Sequence, residues 1–119
     1  MINVTIYHNP RCSTSRNVLE LIRKIGIEPH IVEYLKTPLT HGELAELITK
    51  MHVPVRSVLR DKEALYAELK LDEPKWSEKE LIDYMVAHPI LMNRPIVVTP
   101  VGAKLCRPPE TVLELLPRV

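Results

Sequence analysis

The stretch INVTIYHNPRCSTSR, residues 2–16, decides how the chain folds. Ile2, Val4, Ile6 and Tyr7 favour extended backbone and predict a short strand, which Pro10 ends. Ser13, Thr14 and Ser15 then offer helix-capping oxygens. Behind them Val18, Leu21, Ile22 and Ile25 recur at i, i+3, i+4 and i+7, the apolar face of a helix. Cys12 therefore stands in a strand-to-helix turn, at or near a helix N-terminus. Free N–H groups and the positive end of the helix dipole gather at such a point and stabilise an anion. A thiolate is such an anion, and a cysteine so placed has its pKa drawn from ~8.5 into the ~3.5–7.5 range. Arg11 and Arg16 add positive charge, and His8 is a donor or proton carrier close by in sequence. The plainer reading, a small apolar cysteine buried in a turn, explains neither the capping residues nor the flanking arginines.

Working outward, Gly26 suits the position just past the first helix. After Pro29, His30 to Tyr34 reads as a second strand, so the chain opens with a parallel, right-handed βαβ unit. Thr37-Pro38 makes a turn. Thr40 and Glu43 have capping-box spacing and open a helix carrying Leu44, Leu47 and Ile48. Pro54 starts a short helix with Val55, Val58 and Leu59 on its apolar face and Arg60 at its end. Asp61 to Leu71 reads as further helix until Pro74 breaks the pattern, and Trp76 is expected to pack at the next helix start. Ser77 and Glu80 form a second capping box ahead of Leu81, Ile82, Met85 and Val86, and His88-Pro89 ends that helix. Pro95 to Thr99 is a third strand. Pro100-Val101-Gly102 turns it into a fourth, Ala103 to Cys106. Pro108-Pro109-Glu110 starts a closing helix with Val112, Leu113, Leu115 and Leu116. The expected fold is α/β: a four-stranded mixed sheet with helices on its faces and a helical insertion over roughly residues 40–88.

At 119 residues the chain is expected to form a single domain spanning 1–119, large enough to bury about two-thirds of its unfolded surface without disulfides or metals. The formal net charge is only +1, so bulk electrostatics gives no case for nucleic acid or membrane partners, and any anion must be held by a few placed residues. No basic start precedes an apolar run, and no apolar stretch approaches ~20 residues, so neither a secretory leader nor a membrane span is expected. Two cysteines far apart in sequence make no disulfide scaffold, which points to a cytoplasmic setting where a reduced thiol can react. The five histidines lack metal-ligand spacing, and with three glycines there is no Gly-rich phosphate loop of the Walker or Rossmann kind.

The residues after Cys12 narrow its chemistry. A dithiol motif needs its second cysteine where Ser15 stands; a hydroxyl can bond a thiolate but cannot resolve a disulfide on it. A phosphatase-like C-x5-R loop would need arginine where Val18 stands. What remains is a monothiol nucleophile that depends on an external thiol. Arg60, Arg94 and Arg107 each stand at a structured junction, and a guanidinium's permanent charge and planar fork suit a tetrahedral oxyanion. Taken singly, each could equally be a surface salt bridge or a helix-end contact. Arg56 and Arg60 are also an i, i+4 pair, and Arg56 reads as part of an ordinary solvated face. The Arg94-Pro95 bond permits a cis peptide. Cys106 reads better as a buried strand cysteine than as a resolving thiol.

The segments YHNPRCSTSRNVLELIRK, PVRSVLR and HPILMNRPIVVTPVGAKLCRPPETVLELL resemble the glutaredoxin-coupled arsenate reductase (ArsC) family over essentially the whole chain. The resemblance implies a thioredoxin-like fold with a helical insertion. It implies Cys12 as nucleophile, His8 as the histidine assisting that thiolate, and Ser15 as a hydroxyl near the sulfur. It implies Arg60, Arg94 and Arg107 as the oxyanion-binding arginines. The activity implied is reduction of arsenate to arsenite through a Cys12 adduct, with glutathione as co-substrate, glutaredoxin as partner, and no bound metal or organic cofactor. Two alternatives stay open: a general glutathione-linked thiol oxidoreductase of the same fold, which would not need the three arginines, and a redox-sensing regulator that contacts RNA polymerase, against which the missing C-x-x-C pair argues.

Overall fold

The computed structural model describes residues 2–117 of the chain. The described residues divide into two compact units, one built from the two ends of the chain up to Thr37 and from Arg94 onward, the other from Pro38–Asn93. The second unit encloses the stretch expected as a helical insertion.

The first unit carries the sheet. Strand β1 (Thr5–Tyr7) leads into α1 (Ser13–Lys24), then β2 (His30–Val32), β3 (Ile96–Thr99) and β4 (Gly102–Leu105). The order across the sheet is β2-β1-β3-β4. β2 runs parallel to β1, with Ile6 opposite Ile31. β3 is antiparallel to both β1 and β4, with Val97 opposite Ile6 and Lys104. This is the four-stranded mixed α/β sheet expected from the order of elements, with the thioredoxin-like arrangement that the family resemblance implies. Ile6 and Val97 present one sheet face to Val18 and Ile22 of α1, and Val112, Leu115 and Leu116 complete that core. Each such side chain contributes roughly 1.5–3 kcal/mol by leaving water. Helix α1 stops at Ile25, and Gly26 follows at φ 84°, in the left-handed region that glycine enters without steric cost.

The closing helix expected after Pro108 is a 3₁₀ helix, Pro109–Leu115. Val112 and Leu115 are both buried while Leu113 is exposed. An i, i+3 pair lies on one side of a helix with three residues per turn.

In the second unit both capping boxes form. Thr40 and Glu43 exchange bonds at the start of α2 (His41–Met51), and Ser77 and Glu80 do so at the start of α4 (Glu78–Ala87). Trp76 stands just before α4, its indole N–H donating to the Lys70 carbonyl and its ring edge-on to Tyr84. Three expectations need correction. The helix expected over residues 61–71 is only α3 (Ala64–Glu68). It lacks a side-chain cap at Glu63 and is closed early by Lys70 at φ 54°, with the Leu71 N–H returning to the Tyr66 carbonyl. The short helix after Pro54 is 3₁₀ (Val55–Val58), so Arg60 does not end it. Instead Leu59 bridges Met92, and the Arg60 N–H donates to the Leu91 carbonyl at 2.8 Å. Arg56 is not merely a solvated face residue either. Its guanidinium donates to the Leu71 and Glu73 carbonyls at 2.8 and 2.7 Å, tying down the chain after α3.

Among the described residues no helix is long and apolar enough to cross a membrane. Because Arg56 holds two backbone carbonyls, Arg56→Ala is expected to lower stability in denaturant titration by about 1–2 kcal/mol. An unchanged unfolding midpoint would contradict that structural assignment.

Candidate active site

Cys12 is the N-cap residue of α1, with extended backbone at φ −90° and ψ 122°. The sequence offered Ser13, Thr14 and Ser15 as capping oxygens, but none occupies the cap. The capping position belongs to a sulfur, and it makes no regular capping hydrogen bond. The Ser15 N–H, at the third helical position, nonetheless faces the sulfur closely enough to favour its charged form. This is the donor that a capping serine or aspartate would normally engage.

The side chain of Ser15 is turned elsewhere. Its fully buried hydroxyl lies 2.6 Å from His8 Nδ1 and accepts the Asn9 N–H at 3.1 Å. The sequence cast this hydroxyl as a neighbour of the thiolate; the structure gives that contact to the Ser15 backbone and the hydroxyl to His8. His8 is itself buried, and loss of hydration pushes its pKa below 6.5, against a smaller upward pull from Glu33 and with Arg23 and Arg16 lowering it further. Burial therefore favours the uncharged imidazole.

Two of the three arginines stand in the same unit as Cys12. Arg107 Nη1 lies 3.7 Å from Cys12 Sγ and donates to the Arg94 carbonyl at 3.0 Å. Arg94 is buried, and its guanidinium favours the charged form of the sulfur. The Arg94-Pro95 bond is cis, as is Arg107-Pro108. The balance on the sulfur follows from these groups. Desolvation is the largest influence and raises the pKa. The Ser15 N–H, the Arg94 and Arg107 side chains and the Arg94 charge together outweigh it, and Cys12 falls from 9.0 to about 7. At neutral pH a large share of Cys12 is thiolate, beside two guanidinium groups. Such a centre can attack an electrophilic oxyanion and hold its negative oxygens while doing so.

The ArsC family profile matches residues 7–115 of the chain, which include every residue of this site. The chain belongs to the ArsC family. It is 58% identical over 117 residues to the arsenate reductase of Escherichia coli K12, an alignment covering 98% of this chain and 83% of that protein. It is 53% identical to the arsenate reductase of Rhizobium meliloti over 116 residues, with the same shares covered. The solved arsenate reductase of Vibrio cholerae superposes with a TM-score of 0.94 at 44% identity, covering 97% of this chain and 98% of that one.

The remaining candidate residues of this ArsC-family chain are placed as follows. Arg60 belongs to the second unit, largely buried, with Nε 3.3 Å from Glu63 Oε1. That is an ion pair by distance, though its angle falls short of a hydrogen bond. Arg16, read from the sequence as added positive charge, donates to the Pro10 carbonyl at 2.9 Å and braces the turn before Cys12. Asn9 was missed by sequence reasoning. It is buried, and its side chain accepts the Arg11 N–H at 3.0 Å; the Asn-Pro pair, a turn-initiating signal, was its trace in the sequence. Cys106 is fully buried, with its thiol 3.6 Å from the Lys104 carbonyl. Desolvation dominates there and pushes its pKa up to about 12; the residue lies just past β4 rather than in it, and is buried as expected. Among the described residues no cluster of three or more His, Cys, Asp or Glu side chains could hold a metal ion.

The two thiols should therefore separate under alkylation at neutral pH. The thiolate fraction of an acid rises with pH through its pKa, so Cys12 is reactive near 7, while Cys106 stays protonated and enclosed. Mass spectrometry after brief iodoacetamide treatment is expected to find the label on Cys12, with Cys106 modified only after unfolding. Equal labelling of both in the folded protein would contradict this picture.

Proposed function

We propose that this chain reduces arsenate to arsenite through Cys12, with Arg60, Arg94 and Arg107 holding the oxyanion and with glutathione and glutaredoxin supplying the electrons. The observation that carries the reading is the Cys12 sulfur, lowered to about 7, with the Arg107 guanidinium 3.7 Å away. The relatives named arsenate reductase, 53% and 58% identical over nearly the whole chain, support the choice of arsenic as the electrophile.

In this reading the thiolate forms a sulfur–arsenic bond, and one arsenate oxygen leaves as water after protonation. The arginines neutralise the remaining oxygens, and the fixed N–H of Ser15 holds the sulfur in place before attack. A glutathione thiol then bonds arsenic and displaces a second arsenate oxygen as water. The Cys12 and glutathione sulfurs join as a mixed disulfide, arsenic takes up the two electrons and leaves as arsenite, and a glutaredoxin thiol attacks the disulfide at the glutathione sulfur, which frees Cys12. An external thiol is needed because Ser15 stands where a resolving cysteine would be and Cys106 is buried and protonated. His8, neutral and bonded to Ser15, supports the helix start rather than carrying charge. The reducing conditions that such chemistry requires favour the cytoplasm as its setting.

The test follows NADPH consumption through glutathione reductase, with and without arsenate. Turnover is expected to require arsenate, glutathione and glutaredoxin together, to be lost in Cys12→Ser, and to be mostly retained in Cys106→Ser. Arg60→Ala, Arg94→Ala and Arg107→Ala should each lower kcat/KM for arsenate about ten- to a hundredfold, the scale of one charge-assisted contact. Phosphate or sulfate should protect Cys12 from alkylation. Consumption that is independent of arsenate, or that survives all three arginine substitutions, would favour a general thiol oxidoreductase instead.

A further inference from the structure

Asn9 takes no part in the proposed reaction, yet it is buried and holds the turn into α1 through three of its atoms. Its carbonyl accepts the Cys12 N–H at 3.0 Å. Its own N–H donates to Ser15 Oγ at 3.1 Å, joining the turn to the first turn of the helix. Its side-chain Oδ1 accepts the Arg11 N–H at 3.0 Å. The last of these depends on the side chain: an Asn or Asp oxygen that bonds the N–H two residues on folds the backbone into an Asx turn. An apolar residue of similar size would fill the space but supply no acceptor.

We infer that Asn9 is a positioning residue, whose side chain sets the Asn9–Cys12 turn and thereby places the Cys12 sulfur against the Ser15 N–H and the Arg107 guanidinium. Hydrogen bonds weaken steeply once distance or angle departs from the optimum. The Arg107 contact to sulfur is already long, at 3.7 Å, so a small displacement of the turn removes it. The Ser15 N–H is fixed by α1 and cannot follow the sulfur. What remains after such a displacement is the Arg94 guanidinium alone against the desolvation that opposes the thiolate.

The inference rests on Cys12 being the activated thiol and is independent of which oxyanion it attacks. The experiment measures the pH dependence of Cys12 alkylation in the full-length wild type, Asn9→Ala and Asn9→Ser, together with thermal unfolding. The wild type should titrate near 7. Asn9→Ala should shift the midpoint upward by about one unit, which lowers the thiolate fraction at neutral pH about fivefold, with the wild-type alkylation rate regained at high pH. Asn9→Ser keeps a shorter acceptor and should fall between the two. It also carries the test if Asn9→Ala does not fold. A change in melting temperature with no change in midpoint would assign Asn9 to fold maintenance alone and overturn the inference. A wild-type midpoint at ~8.5 or above would remove the activated thiol itself, and the inference with it.

Discussion

A helix begins with backbone N–H groups that have no partner within the helix, and something must meet them. In this chain a sulfur stands at that point. Cys12 at the N-cap of α1 puts its side chain where an oxygen normally sits, and the N–H of Ser15 is the group it faces. The arrangement works only if the helix start is rigid and the strand before it delivers Cys12 to the cap. β1 is held between β2 and β3, with Ile6 and Val97 packed against Val18 and Ile22 of α1. The hydrophobic core thus fixes the angle between strand and helix, and the turn from Asn9 to Cys12 translates that angle into the position of one atom.

Comparison of the two cysteines shows how far environment alone governs their chemistry. Both lie in the first unit, and both lose hydration. Cys106 is fully buried and rises to about 12 because lost hydration outweighs every other influence on it. Cys12 finds an N–H and two guanidinium groups and falls to about 7. A difference of this size is enough to separate a structural thiol from a nucleophile at neutral pH. The same donors that stabilise the thiolate are the ones an oxyanion would need, so activation of the nucleophile and recognition of its target draw on shared residues.

Much of this was legible in the sequence. Four apolar residues at helical spacing located α1, Gly26 marked its end, and two Ser/Thr-to-Glu spacings marked the starts of α2 and α4. These signals are local, and each has one dominant physical cause. The errors arose where several causes compete. Three residues after Cys12 could all cap a helix, and their order alone does not show that the cap is the cysteine or that Ser15 turns its hydroxyl to His8. Lys70 in the left-handed region shortens α3, and nothing in its residue type signals that. Arg56 was read as solvated because the carbonyls it binds, at Leu71 and Glu73, lie well beyond one helix turn. Asn9 was overlooked for a related reason: its importance lies in a bond to the backbone, which composition and periodicity do not encode.

The central claim is that Cys12 is substantially ionised at neutral pH because of where the chain places it. The most direct measurement is the ultraviolet absorbance of the thiolate across a pH titration of the native protein, compared with Cys12→Ser. The account predicts a step centred near 7 in the wild type and absent from the variant. A wild-type protein whose first thiolate step comes at ~8.5 or above, or a step near 7 that persists in Cys12→Ser, would contradict it.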